Sequence, residues 1–267
     1  MDGAAFSDHS ALTVKPPVII PAAGLGTRLS PLTLTTPKEL LPLGGEPAIL
    51  GALLEAEAAG VDEIIVVVGP GKASLESWLH KQMDRRRWPM RIRLARQPAP
   101  LGVIDAVERG RAVAGHPTRY VVLFPDYVHL PEQRGLAQLL SAADGQPGTW
   151  LGLLRRTPDR NVRMGRTAAV WTEPMGTSYR VVDVGSCGAT SAPHHTTFAV
   201  LRCPQHQEML EAGNRDDTRV EAILGRLAAA GLLFGVELSP EVLDLGVRPG
   251  YDDAVARFSA GARWRSV

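Results

Sequence analysis

Pro21-Ala22-Ala23-Gly24-Leu25-Gly26-Thr27-Arg28-Leu29, followed by Pro37-Lys38-Glu39, sets a glycine loop, an arginine and a lysine directly behind an apolar run. Val18, Ile19 and Ile20 read as a buried strand, and a loop leaving the carboxyl end of such a strand lies where open α/β sheets bind ligands. Glycines there let backbone N–H groups, from Ala22 and Ala23 through Gly24, Leu25, Gly26 and Thr27, encircle phosphate oxygens that a Cβ would obstruct. Arg28 offers a planar fork of donors, and Lys38 a movable point charge. The lysine stands out by scarcity: Lys15, Lys38, Lys72 and Lys81 are the only lysines beside twenty-five arginines.

Competing phosphate motifs fit less well. A P-loop needs Gly-Lys-Ser or Gly-Lys-Thr where this chain has Gly26-Thr27-Arg28. The dinucleotide fingerprint finds its first two glycines in Gly24 and Gly26, but Leu29 at the third small position would wedge helix from sheet, which argues against a nicotinamide-dependent dehydrogenase. A plain turn shaped by the two glycines stays open on the glycines alone.

The longer segment, Gly-x-Gly-Thr-Arg-Leu, Pro31-Leu32-Thr33 and Pro37-Lys38-Glu39-Leu40-Leu41-Pro42, resembles the signature of the nucleotidyltransferases that make nucleotide-diphosphate sugars, nearest to the glucose-1-phosphate uridylyl- and thymidylyltransferases. The resemblance weakens between about Thr157 and Ala192. It implies attack of a sugar-1-phosphate oxygen on the α-phosphorus of a nucleoside triphosphate, with pyrophosphate expelled and Mg²⁺ as cofactor. It also implies a cytoplasmic enzyme, expected to be a homo-oligomer.

Composition agrees with a globular α/β chain: 267 residues, 45% hydrophobic and a formal charge of +1. Such a balance gives no footprint for nucleic acid, and no spanning segment or signal peptide is read. Arg85-Arg86-Arg87 reads as a solvated loop. Cys187 and Cys203 lack metal-ligand spacing and are too few for a disulfide framework, which suits a reducing compartment. Residues 1–14 read as a flexible tail ahead of one nucleotidyltransferase domain over 15–267. Its nucleotide half runs to about 130 and its acceptor half from about 131.

Helical spacing over 48–59, 71–81 and 102–114 alternates with apolar runs at 64–68, 90–95 and 120–124. The pattern predicts a doubly wound, single-domain mixed sheet, mostly parallel, of Rossmann-like type. Beyond it, short runs at 150–154, 168–171, 179–182 and 197–201 predict strands on the acceptor side. Helices are expected at 205–212, 216–230 and 251–258, and the apolar runs 232–236 and 242–243 flank the last site candidate.

Asp126 follows Val121-Val122-Leu123-Phe124-Pro125 at a strand end, and Pro-Asp here resembles the family's metal-binding motif. Asp244, in Val242-Leu243-Asp244-Leu245-Gly246, resembles the second metal ligand. Two carboxylates suit a hard, octahedral Mg²⁺ that keeps water and phosphate oxygens for its other positions. Asp216 and Asp217 read instead as a helix cap and first turn. Gln97 and Gly102, in Gln97-Pro98-Ala99-Pro100-Leu101-Gly102, resemble the loop that reads uracil or thymine, an amide being both donor and acceptor. Asp105 could touch ribose or be idle.

The acceptor pocket departs most from the family. Relatives carry Glu-Lys-Pro there. Here Asp183 is the counterpart of the glutamate, and no lysine follows Lys81, so an arginine must serve, Arg163 before Arg180 or Arg166. Arg163-Met164-Gly165 resembles the turn beside the sugar, with Gly165 expected at the acceptor. His194 and His195 read as structural. An unusual acceptor, a deoxysugar or cyclitol phosphate, follows from these departures. Alternatives are a small phosphorylated alcohol as acceptor, a purine triphosphate as donor, or a nucleotide-sugar sensor without turnover.

Overall fold

The computed structural model describes residues 15–85, 88–129, 135–157, 168–185, 192–202, 220–238 and 242–264. The first half alternates as expected. β1 (Val18–Ala22) leads into single 3₁₀ turns at Thr27–Leu29 and Lys38–Leu40, then a small hairpin of β2 (Pro42–Leu43) and β3 (Glu46–Pro47). After it come α1 (Leu50–Ala58), β4 (Glu63–Val68), α2 (Ala73–Arg85), β5 (Arg91–Arg96), α3 (Val103–Val113) and β6 (Tyr120–Leu123). α2 extends beyond the spacing read from sequence, so Arg85 lies in its last turn rather than in a loop.

The second half comprises β7 (Tyr127–His129), α4 (Gly135–Ala142), β8 (Thr149–Arg155), β9 (Ala169–Met175), β10 (Ser178–Gly185), β11 (His194–Arg202), α5 (Val220–Ala229), β12 (Leu233–Glu237), β13 (Val242–Asp244) and α6 (Arg248–Ser259). β7 and α4 are additions to the sequence reading. The helix expected over 205–212, the caps Asp216 and Asp217, both cysteines and the 1–14 tail fall outside the described residues.

Strand order in the main sheet is β5-β4-β1-β6-β11-β8-β12-β10-β9. β5, β4, β1 and β6 are parallel, which places the loops after β1, β5 and β6 along one edge. β1 and β4 are buried on both faces, and their residues alternate between two cores. Val18, Ile20, Ile64 and Val66 meet Ile49 and Leu53 on one face, whereas Ile19, Ile65 and Val67 meet Val107 on the other.

β11 is antiparallel to β6 at one end and to β8 along its length, and its start also pairs with β9. With β8–β12, β12–β10 and β10–β9 contacts, these strands close into a small barrel-like ring. A third core gathers Leu29, Leu41, Leu43, Val128, Leu243, Leu245, Tyr251, Ala254 and Phe258. It lies under a separate two-stranded ribbon, β13 against β7. No described helix is long and apolar enough to cross a membrane.

β7 ends on His129, which is buried against Gly135; a Cβ on that glycine would lie 2.1 Å from the imidazole Cε1. Burial pushes the His129 pKa from 6.5 down to about 3. The unfolded chain therefore takes up a proton as pH falls below its ordinary value, while the folded chain does not until far lower. Stability is complete above that window and falls on acidification through it, by up to about 1.4 kcal/mol per pH unit. We expect His129→Gln to narrow the stability gap between pH 7 and pH 4.5 by about 2 kcal/mol in denaturant titrations. An unchanged gap would contradict the assignment.

Candidate functional site

Gly26 takes φ 72, a conformation that favours glycine. Its carbonyl accepts from the Leu29 amide at 3.0 Å and from Thr33 Oγ1 at 2.9 Å, which folds the loop over Lys38. Gly24 is different. No atom lies within 4 Å of where its Cβ would be, and its φ is not in the left-handed region. Neither strain nor packing inside the chain requires glycine at 24, so a bare backbone faces open space. Leu29, which breaks the dinucleotide pattern, is buried in the third core and pins the 3₁₀ turn that carries Arg28.

The ribbon brings the two sequence-predicted carboxylates together. Asp244 stands opposite Tyr127, and the Leu245 amide donates to the Asp126 carbonyl at 2.6 Å. Gly246 marks the meeting point. A Cβ there would lie 3.0 Å from Asp126 Oδ2, 3.0 Å from Asp244 Oδ1 and 3.3 Å from Arg28 Nη2. The Gly246 amide itself donates to Asp244 Oδ1 at 2.8 Å. Lys38 Nζ lies 2.5 Å from Asp126 Oδ2.

Burial works to lower the Lys38 pKa, but the Asp126 and Glu39 carboxylates overcome it and leave the ammonium above its ordinary value. Burial likewise works to raise Asp126, and Lys38 overcomes it, holding the carboxylate below the usual range. Both partners are therefore charged at neutral pH. Arg28, Lys38, Asp126 and Asp244, far apart in sequence, form one group.

Lys72 was absent from the sequence-based candidates. It opens α2 after Gly69-Pro70-Gly71, at the carboxyl end of the strand beside β1. Its Nζ donates to Glu39 Oε2 at 2.7 Å and to the Ala22 carbonyl at 2.6 Å, both partners buried. Burial lowers its pKa in spite of Glu39. Glu39 Oε1 is buried with no hydrogen-bond partner among the described residues. The scarcity of lysine that pointed to Lys38 applied equally to Lys72.

The loop after β5 is built on hydrogen bonds. The Gln97 amide N–H donates to Val68 O at 2.8 Å, continuing the β4–β5 ladder. The buried Gln97 side chain donates from Nε2 to Gly102 O and to Asp105 Oδ2, each at 2.9 Å. Asp105 in turn accepts from Arg109 Nε at 2.7 Å and Nη2 at 3.1 Å. Asp105 is therefore not idle: it holds Gln97 and Arg109.

Of the residues expected at the acceptor, the structure describes Asp183 and Arg180. Asp183 is exposed at a bulge in the β9–β10 pairing, where its Oδ1 accepts from the Val184 amide at 2.8 Å. No hydrogen bond or ion pair joins it to the Asp126 group. Arg180 pairs with Glu173 at the surface. Arg163, Met164, Gly165 and Arg166 lie outside the described residues. His194 is buried, with Nδ1 3.1 Å from Thr172 Oγ1 and Nε2 3.3 Å from Glu237 Oε2, which accords with its structural reading.

A buried ion pair is costly to break from one side, because the remaining charge has lost its partner. Lys72→Met should lower the unfolding free energy by about 3–5 kcal/mol, and adding Glu39→Leu should restore much of it. Chemical denaturation of the two variants checks this. A single variant as stable as the parent would show that the pair is not what holds the Lys38 turn to β1.

The nucleotidyl transferase family profile matches residues 17–162. The chain is 29% identical over 256 residues to a Bacillus subtilis (strain 168) protein assigned as a UTP–glucose-1-phosphate uridylyltransferase, covering 87% of this chain and 93% of that one. Its fold is similar to that of a UDP-glucose pyrophosphorylase complexed with UDP-glucose, at TM-score 0.78 and 21% identity over 92% of this chain and 98% of that one. The UTP-bound UGPase from Acinetobacter baumannii gives TM-score 0.75 and 24% identity over 91% and 93%.

Proposed function

Because the chain belongs to the nucleotidyl transferase family, we propose that this nucleotidyltransferase condenses UTP or dTTP with a sugar-1-phosphate or a sugar-like phosphate. The products are a nucleotide-diphosphate sugar and pyrophosphate. One observation carries the reading: Arg28, Lys38, Asp126 and Asp244 converge around the side-chain-free Gly246, beside a glycine loop whose bare backbone at Gly24 faces open space. A uridylyltransferase name in the relative and UDP-glucose and UTP in the similar structures favour a uracil nucleotide.

An oxygen of the acceptor phosphate attacks the α-phosphorus. The bond from that phosphorus to the bridging oxygen breaks, and pyrophosphate leaves with the electron pair. No side chain need act as a base, since a phosphate monoester is already largely dianionic at neutral pH, its second pKa being about 6. The work left to the protein is alignment of two anions and neutralisation of the charge that develops. The backbone from Ala22 to Thr27 cradles the phosphates, Arg28 grips two oxygens at once, and Lys38 retains donors beyond the one on Asp126.

Asp126 and Asp244 fit a magnesium ion: two hard oxygen donors meet where Gly246 contributes no side chain, and no third His, Cys, Asp or Glu joins them among the described residues. Bound there, the ion would supply positive charge to the phosphate oxygens. Gln97 and Gly102 read the base. On the acceptor side Asp183 and Gly165 would meet the sugar and Arg163 its phosphate. This part rests on the sequence, where no lysine follows Lys81. A deoxysugar or cyclitol phosphate suits the altered pocket. A cytoplasmic homo-oligomer completes the proposal.

Pyrophosphate release from each triphosphate with Mg²⁺ and a panel of sugar phosphates tests the reading. No release with any pair would leave the sensor alternative. On the productive pair, Lys38→Ala and Arg28→Ala should each lower turnover by about 10²–10³-fold without unfolding the chain, the scale of one lost transition-state contact. Asp126→Asn and Asp244→Asn should weaken magnesium binding measured by calorimetry along with the rate. An unaltered magnesium affinity in either variant would remove that residue from the metal site.

A further inference from the structure

The Gln97 amide can face only one way. Both its Nε2 hydrogens are taken, by Gly102 O and Asp105 Oδ2. Turned over, it would set Oε1 against two acceptors, a carbonyl and a carboxylate, with neither able to donate. Asp105 cannot yield, because the Arg109 guanidinium one helical turn on grips both of its oxygens. What remains is one acceptor, Gln97 Oε1, and one donor, the Gly102 amide; neither makes a hydrogen bond among the described residues. Leu101, exposed between Gln97 and α3, adds an apolar surface of the kind a flat ring covers.

Resting on the reading of this loop as the base site, we propose that Asp105 is a positioning residue for base selection: by holding the Gln97 amide with its oxygen outward, it selects a nucleobase whose ring nitrogen carries a hydrogen beside a carbonyl. Uracil and thymine present that edge. Their N3–H donates to Gln97 Oε1, and the neighbouring carbonyl accepts from Gly102 N–H. Cytosine has a bare lone pair at N3, so the same seat opposes two acceptors. A site built to accept a proton rejects the analogue lacking it, since its polar atom is then buried unpaired. Guanine carries the same lactam edge, so the selection concerns the donor and not the ring size.

The test is calorimetric binding of UTP, CTP and 3-methyl-UTP, without acceptor, to the full chain and to Asp105→Asn, whose amide can donate to Gln97 and so removes one of the two acceptors that fix that side chain, leaving only Gly102 O. The parent should favour UTP over CTP by about tenfold or more, with 3-methyl-UTP falling to the level of CTP. In Asp105→Asn the preference should collapse to within about threefold at an unchanged melting temperature, and Asp105→Ala should behave alike if the first variant folds poorly. A parent that prefers UTP but keeps that preference in both variants overturns the role of Asp105 and leaves the base reading standing. If 3-methyl-UTP binds as well as UTP, the outward oxygen is not what reads the base. Equal binding of UTP and CTP by the parent overturns both the inference and the reading beneath it.

Discussion

Lys38 resting on Asp126 is the contact on which the cleft depends, because it ties the loop after β1 to the first residue beyond β6 and Phe124-Pro125. It solves an electrostatic problem. A surface designed to receive a polyanion must carry several cations close together, and without substrate those cations repel each other. Here Arg28, Lys38 and Lys72 are matched by Glu39, Asp126 and Asp244, so the floor is neutral before anything binds. The two pairs are interlocked. Glu39 neutralises Lys72 directly and adds to the field that keeps Lys38 protonated.

That charged floor stands on apolar packing. Leu29 sits one residue from Arg28, Leu41 three from Lys38, Leu243 and Leu245 on either side of Asp244, and all four share one core with α6. Arg28 and Asp244 are thus each next in sequence to an anchored apolar residue, and Lys38 is one turn from one. The alternation fixes the directions of the charged groups to a precision that exposed loops lack, and burial strengthens their fields. The dinucleotide fingerprint fails at Leu29 for the same reason that this site works: the residue is needed for packing beneath a turn, where the other motif needs a small residue between helix and strand.

The parallel half of the sheet was legible because its central strands are apolar on both faces and its helices carry a 3.6-residue period, as in Ile64-Ile65-Val66-Val67-Val68 against Ala106 and Val107. Glycine-loop chemistry and the two strand-end aspartates were legible for a similar reason, each being local to a few residues. The ribbon of β7 and β13 was not, since three-residue strands are too short to show alternation. Nor was closure of the ring, because the pairing of Ala169 with His195 leaves no mark on either segment's period. Lys72 wrote its signal in the composition, but its partners Glu39 and Ala22 are far off in sequence. Asp105 could be read only as an undecided neighbour of Gln97 and Gly102, because the side-chain hydrogen bonds it accepts from Gln97 and Arg109 leave no mark in the spacing.

β11 has a consequence for how the two parts of the sheet can move. One end is hydrogen-bonded into the parallel sheet through β6, from Ala199 to Arg202, and the other into the ring through β8 and β9. Among the described residues the parallel strands and the ring share β11, so a backbone ladder runs between them, with one register shift between Thr196 and Val200. Swinging one part of the sheet away from the other would rupture that ladder and leave its amides and carbonyls without partners. The connections after β1 and β5 lie outside the ladder, and the exposed Leu25, Leu34 and Leu101 are on them.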